Sequence, residues 1–222
     1  MRLKIEGQGE NIVIMYLGYA QDPKPFYYIN SCLPPSTALA FIWEHHGDAA
    51  DLSALSRFKR VRLIAWSMGV MLAPIVLSKL DLNFEKRYAV NGSVEGINDQ
   101  YGIAPALWDK TFDSLQNETQ SELFYRLMCF NKKVYREYAE HHPDRKISDL
   151  RTELRFIKEF GNNNAKAAAS FYDEAFISKN DLIMSPDAVK ASFLKEGVII
   201  HERPTAHYDQ EIFKILCARS FS

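Results

Sequence analysis

The sequence is poor in the features that would assign it to several large classes. It has three cysteines, Cys32, Cys129 and Cys217, far apart, odd in number and without a Cys-x-x-Cys spacing, which leaves no disulfide framework and no zinc knuckle to read. No stretch approaches the ~20 apolar residues of a membrane span, and the opening Met1-Arg2-Leu3-Lys4-Ile5-Glu6 puts charges where a secretory leader needs an unbroken apolar run. The expectation is a cytoplasmic protein with reduced thiols. Net charge is only −1, too little for a protein held to nucleic acid by phosphate neutralisation. Neither a P-loop nor a Gly-x-Gly-x-x-Gly follows a strand pattern, so nucleotide binding has no support. Internal repeats and low-complexity segments are absent as well.

What is present is a globular composition. At 222 residues one core can hide roughly 70% of the unfolded surface without staples of metal or disulfide, and separately no cofactor is expected. Short runs of apolar, often β-branched or aromatic residues recur at Ile12 to Leu17, Ala38 to Trp43, Val61 to Trp66, Tyr88 to Val90, Ala175 to Ser178 and Val198 to His201. Nearly continuous apolar runs suit strands covered on both faces, and the helical patterns between them suit crossovers. This predicts an α/β chain with a mostly parallel sheet flanked by helices.

From Ala104 to about Phe160 the strand signal gives way to helical spacing: Leu107, Trp108, Thr111, Phe112 and Leu115, then Leu123, Phe124, Leu127 and Met128, then Ile147, Leu150, Leu154 and Ile157. Three or four helices inserted after the strand ending near Asn91 are expected to form a cap at residues 103–167. The core then comprises residues 1–102 and 168–222. Gly161-Asn162-Asn163-Asn164 reads as the stop of the last cap helix, since Gly and Asn tolerate the left-handed conformation.

The strongest chemical signal is Arg62-Leu63-Ile64-Ala65-Trp66-Ser67-Met68-Gly69-Val70-Met71-Leu72-Ala73: an apolar strand, a small-x-Ser-x-Gly turn, then a helical pattern. That is the arrangement of a nucleophile elbow, which raises a serine hydroxyl above an α/β-hydrolase sheet. Small residues are needed two before and two after the serine because strand and helix pass close together. Ala65 stands where Gly is commoner, and Gly69 meets the second requirement. The structural alternative is a serine that merely caps a helix.

A serine hydroxyl needs a base within hydrogen-bond reach, and the chain order in this fold is serine, acid, histidine. His207 follows the last strand run and the loop opened by Pro204, whereas the competitor His201 lies within the run. Asp181 sits in a polar loop just beyond Ala175-Phe176-Ile177-Ser178, although an aspartate there could simply shape an Asx-turn. For the oxyanion, the backbone amide of Met68 is one expected donor and that of Tyr19, after the bend at Gly18, the other. Gly18 could equally be a turn that ends a strand. Gly18, Tyr19 and Trp66 are expected to wall the substrate pocket. The pairs in Glu44-His45-His46 and His141-His142 lack metal-ligand spacing and read as solvated surface, with no metal expected.

These strings resemble one family, the BioG-type pimeloyl-[acyl-carrier protein] methyl ester esterases of biotin synthesis. The resemblance rests on the first strand ending in Gly18-aromatic, on Ala65-Trp66-Ser67-Met68-Gly69-Val70, on Ala89-Val90-Asn91-Gly92 and on Asp99-Gln100-Tyr101-Gly102-Ile103, and it spans nearly the whole chain. It implies a compact α/β-hydrolase fold that frees the terminal carboxylate of a carrier-bound pimeloyl methyl ester, with Ser67, Asp181 and His207 as the triad. Gly18-Tyr19 matches the family's Gly-Trp oxyanion turn, with Tyr in place of Trp. The implied partner is an acyl-carrier protein.

Such carriers are acidic, and Arg126 to Lys158 holds nine Lys/Arg against five Asp/Glu, a local excess of four positive charges. Lys132, Lys133 and Arg136, and then Arg151, Arg155 and Lys158 along one helix side, are therefore expected to dock the carrier by charge. A solvated helix face laced with Glu153 and Glu159 is the plainer alternative. Cleavage of a thioester or a small acyl ester would need the same constellation. A non-catalytic binding protein on this scaffold is the reading from another class.

Overall fold

A computed structural model describes residues 1–47, 50–164 and 169–221. Among these residues seven strands form one sheet in the order β1-β3-β2-β4-β5-β6-β7. They are β1 (Arg2–Glu6), β2 (Asn11–Tyr16), β3 (Thr37–Trp43), β4 (Arg60–Trp66), β5 (Phe84–Val90), β6 (Glu174–Ser178) and β7 (Ile199–Arg203). Every pairing is parallel except β1 with β3, so the sheet is mostly parallel as expected. Strand β1, unread in the sequence, is an edge strand. Its alternating Arg2-Leu3-Lys4-Ile5-Glu6 places charge on one side of the pleat, which protects an open edge.

Strand β5 starts four residues before the apolar run, through Phe84-Glu85-Lys86-Arg87. Those charges are accommodated by partners: Arg62, 2% exposed, pairs with Glu85 at 2.9 Å, and Arg87 with Asp173 at 3.3 Å. The helices that flank the sheet are α1 (Gly69–Leu77), packed on β2 and β4, α6 (Pro186–Leu194), on β6 and β7, and α7 (Gln210–Ala218), which meets a 3-10 helix at Lys24–Cys32. Pro74 inside α1 cannot donate to the carbonyl four residues back. The Tyr172 hydroxyl bonds that Val70 carbonyl instead, at 2.8 Å.

Among the described residues four α-helices stand between β5 and β6: α2 (Pro105–Ser114), α3 (Glu118–Cys129), α4 (Lys132–Ala139) and α5 (Ile147–Asn163). Asn117 and Gln120 form a reciprocal capping box on α3, and Asn131 caps α4. Leu150, Leu154 and Ile157 of α5 are buried, as their spacing predicts. The helix stops within the expected Gly161-Asn162-Asn163-Asn164: α5 runs to Asn163, and Asn164, extended and not left-handed, ends it by donating both its amide and its side chain to the Phe160 carbonyl. The boundary expected at 167–168 lies outside the described residues. Among those described, no helix is long and apolar enough to cross a membrane.

Candidate active site

The turn from β4 into α1 carries Ser67 at φ +56, a left-handed conformation uncommon for a residue with a side chain. The turn tolerates no bulk. A Cβ at Gly69 would lie 2.4 Å from the Tyr16 carbonyl oxygen, and one at Gly18 would lie 2.7 Å from the Ser67 Cβ. The small residue after the serine and the bend after β2 are thus two sides of one close approach.

Two loops deliver partners to the serine. After β6, Asp181 turns its carboxylate inward, where Oδ1 accepts the amides of Ile183 at 2.8 Å and Met184 at 2.9 Å. Its Oδ2 lies 2.7 Å from His207 Nδ1, so the aspartate shapes its own turn and also holds the histidine. After β7, His207 spans to Ser67, with Nε2 2.9 Å from the serine Oγ. A carboxylate only accepts, so Nδ1 carries the imidazole proton and Nε2 is left to accept from the hydroxyl. The histidine and aspartate side chains are 1% and 2% exposed, which shields the relay from competing water. His201, the other histidine considered, lies in β7 with its ring on Phe176 and Nε2 3.0 Å from Glu174.

Residues not assigned to the site from sequence hold the histidine loop. Asn91, at the end of β5, donates to the His207 carbonyl at 2.8 Å and accepts the Ser178 amide at 2.7 Å. Asp209 caps α7 through the Ile212 amide and takes the Thr205 hydroxyl at 2.8 Å. Trp66 was expected in the pocket and is not among its lining residues. It is 1% exposed, its ring packs on Phe26, Tyr208 and Phe213, and its Nε1 donates to the His207 carbonyl at 2.9 Å. Trp66 therefore supports the loop that carries the histidine.

The cavity beside Ser67 encloses about 210 Å³, with Tyr19, Ser67 and Met68 on its wall, so both expected oxyanion residues adjoin the serine. Gly18 backs onto Ser67 and does not line this space. The remaining lining comes largely from the inserted helices, including Trp108, Phe124 and Leu154, with exposed Leu107, Leu123, Leu127 and Leu182 as further lining. Among the described lining residues the polar side chains are uncharged, chiefly Thr111, Ser114 and Gln120. No group of three or more His, Cys, Asp or Glu among the described residues could hold a metal ion.

The basic residues of the insertion divide. Lys132, Lys133 and Arg136 of α4 and Arg155 of α5 are exposed. Arg151 is engaged inside the insertion, where its guanidinium donates to the Phe112 and Leu115 carbonyls at 2.8 Å and covers the Phe112 ring, joining the end of α2 to α5. Lys158 pairs with Asp109. Glu153, read as a possible surface charge, is fully buried.

His45, read as surface, is 4% exposed, stacked on Tyr16, with Nε2 2.9 Å from the Leu17 carbonyl. Burial pushes its pKa down to about 4, opposed by the nearby Glu153 carboxylate and the Leu17 carbonyl, with Arg145 adding to the depression. The unfolded chain binds this proton near pH 6.5, so the stability this neutral histidine permits is complete above that pH and is lost as pH falls toward 4. Between pH 7.5 and 5 the loss is about 2 kcal/mol. Urea unfolding of the wild type and of His45→Asn at both pH values checks this: the variant should lose less stability on acidification, and equal losses would refute the assignment.

Residues 1–216 match the family model described as "Pimeloyl-ACP methyl esterase BioG". A Bacteroides fragilis (strain 638R) protein described as "Malonyl-[acyl-carrier protein] O-methyltransferase" is 29% identical over 204 residues, which are 91% of this chain and 40% of that protein. The chain thus spans less than half the length of that relative. Among solved structures, BioG from Haemophilus influenzae aligns with a TM-score of 0.85 at 25% identity, over 96% of this chain and 97% of that one. An esterase from Exiguobacterium antarcticum shares the fold with a TM-score of 0.71 at 13% identity, over 96% of this chain and 91% of the other. The fold is that of the α/β hydrolases.

Proposed function

The chain belongs to the family of pimeloyl-ACP methyl esterase BioG, and from that premise we propose that it is a serine carboxylesterase that hydrolyses the methyl ester of a pimeloyl group carried on acyl-carrier protein, in the cytoplasm, during biotin synthesis. The observation that carries this reading is the relay from Asp181 through His207 to Ser67, at 2.7 and 2.9 Å. Ser67 attacks the ester carbonyl as His207 takes its proton, and Asp181 holds the tautomer and stabilises the imidazolium. The tetrahedral oxyanion is received by the amides of Met68 and Tyr19, and its collapse passes the proton from His207 to departing methanol. Water, deprotonated by His207, then attacks the acyl-serine, and collapse returns that proton from His207 to Ser67 Oγ as the acid leaves and ionises to the free carboxylate.

The cavity supports an ester of this kind. An apolar cavity with uncharged polar groups suits a neutral acyl chain, and its described lining residues include no cation to retain the carboxylate product. Methanol release from methyl-pimeloyl carrier protein, measured beside acyl thioesters and p-nitrophenyl esters, tests the substrate. Preference for the carrier-bound methyl ester is expected, and a preference for the thioesters would contradict it.

The carrier docks on the exposed cations Lys132, Lys133, Arg136 and Arg155, while Arg151 and Lys158 act within the insertion. Exposed charges chiefly set encounter rate and orientation. Changing Lys132, Lys133 and Arg136 together to Glu should lower kcat/KM on the carrier-bound ester by about tenfold or more at low salt, with less effect as salt rises. A p-nitrophenyl ester should be hydrolysed at nearly the wild-type rate. Equal losses on both substrates would remove the docking role.

A further inference from the structure

Glu153 is a carboxylate on α5 with no exposure to solvent, an arrangement that is costly unless its oxygens are fully paired. Both are. Oε2 accepts the Ala20 amide at 3.2 Å and Arg145 Nη2 at 3.1 Å, and Oε1 accepts the His45 amide at 2.9 Å. The Arg145 side chain is 3% exposed, and its Nη1 donates to the Gln21 carbonyl at 2.8 Å. From the neighbouring helices, the Tyr125 hydroxyl donates to the Ala20 carbonyl at 2.9 Å and that of Tyr138 to Gln21 Oε1 at 2.8 Å.

Four of these bonds, from Glu153, Arg145, Tyr125 and Tyr138, end on Ala20 or Gln21, the residues just after Tyr19. Ala20 stands at φ +65, a strained position for a residue with a Cβ, which persists only where its surroundings over-determine it. The inserted helices therefore hold the loop that aims the Tyr19 amide, over and above lining the cavity.

We infer that Glu153 is a positioning residue for the oxyanion hole: with Arg145 as its counter-ion, it fixes Ala20 and thereby the Tyr19 amide that receives the developing negative charge. This rests on the esterase reading above. A glutamine in its place offers one acceptor oxygen for two backbone amides, so its own NH₂ must face either Ala20 or His45, and Arg145 loses its carboxylate. Loss of an oxyanion donor costs ~10²–10³ in turnover, so a displaced one should cost at least about tenfold.

The test is the turnover of Glu153→Gln on p-nitrophenyl butyrate, expressed per active site titrated with a fluorophosphonate, together with affinity for an alkylboronic acid that adds to Ser67 as a tetrahedral anion. The expected result is a fall in kcat of about tenfold or more, an equal fall in boronate affinity, and KM within about twofold of wild type. A merely structural role would lower the number of active sites and leave turnover per site unchanged, and that result overturns the inference. Should Glu153→Gln fail to fold, Tyr125→Phe removes a single bond to Ala20; a loss in kcat of about threefold or more at constant KM supports the inference, and an unchanged kcat overturns it. A wild-type protein that hydrolyses no ester overturns the esterase reading itself, a different outcome from an active wild type with an equally active variant.

Discussion

Ser67→Ala is expected to lower kcat/KM for ester hydrolysis by at least ~10⁴-fold while the chain folds as before, because the remaining donors bind substrate but nothing attacks it. The fold should survive because the substitution removes only the hydroxyl that meets His207 and leaves the φ of +56 as it is. That conformation makes a second, independent expectation. Ser67→Gly is equally inactive yet resists urea better than Ser67→Ala by about 1 kcal/mol, since glycine adopts the left-handed region without a Cβ penalty. Steady-state kinetics and urea unfolding of both variants check the pair. Ser67→Ala with activity within an order of magnitude of wild type would contradict the nucleophile assignment; equal stability of the two variants would contradict the account of strain at the turn.

Asp181→Asn should be nearly as damaging, with kcat reduced by about 10⁴-fold and KM little changed. The reason lies in the backbone. The amides of Ile183 and Met184 both point at Oδ1, so the amide oxygen of asparagine must take that position and its NH₂ is left facing His207 Nδ1. A donor there drives the imidazole proton onto Nε2, and the nitrogen that should accept from Ser67 becomes a donor. The defect is one of tautomer, not of shape, so the variant should remain folded. Retention of more than about a tenth of wild-type turnover would show that Asp181 does not set the tautomer.

The parts of the site that could be read from the sequence are those whose chemistry is local. Ser67 could be found because a nucleophile elbow imposes small residues at Ala65 and Gly69 within a few positions, between a strand and a helix. Asp181 and His207 could be found because each follows an apolar strand run and the order along the chain is that of the fold. What escaped depends on partners far away in sequence. The Glu153 carboxylate is buried on the backbone amides of His45 and Ala20, and the His45 ring on the Leu17 carbonyl, and nothing in Thr152-Glu153-Leu154 or Glu44-His45-His46 signals this. Trp66 adjoins the nucleophile in sequence, yet its ring packs among Phe26, Tyr208 and Phe213 and against His207 and does not line the cavity. Arg151 shares a helix side with Arg155 by spacing, but the end of α2 takes up its charge. Asn91 stood in a string noted for its resemblance alone, and its work as the clamp of the His207 loop becomes visible only when β5, β6 and that loop are seen side by side.

The strand runs have limited reach for the same physical cause. Apolar continuity marks the buried ends of β4 and β5 next to the site, whereas the charged start of β5 and the alternating β1 lie where ion pairs or an open edge replace apolar cover. The half of the sheet that positions chemistry was therefore the more legible half.

The central claim is that Ser67 is activated by His207. It is tested most directly by treating the wild type, Ser67→Ala and His207→Ala with a fluorophosphonate and locating the adduct by peptide mass mapping. The account predicts stoichiometric labelling of the wild type on the peptide that holds Ser67, none on Ser67→Ala, and labelling of His207→Ala slowed by orders of magnitude. Labelling of His207→Ala at the wild-type rate, or an adduct on any other residue, would contradict it.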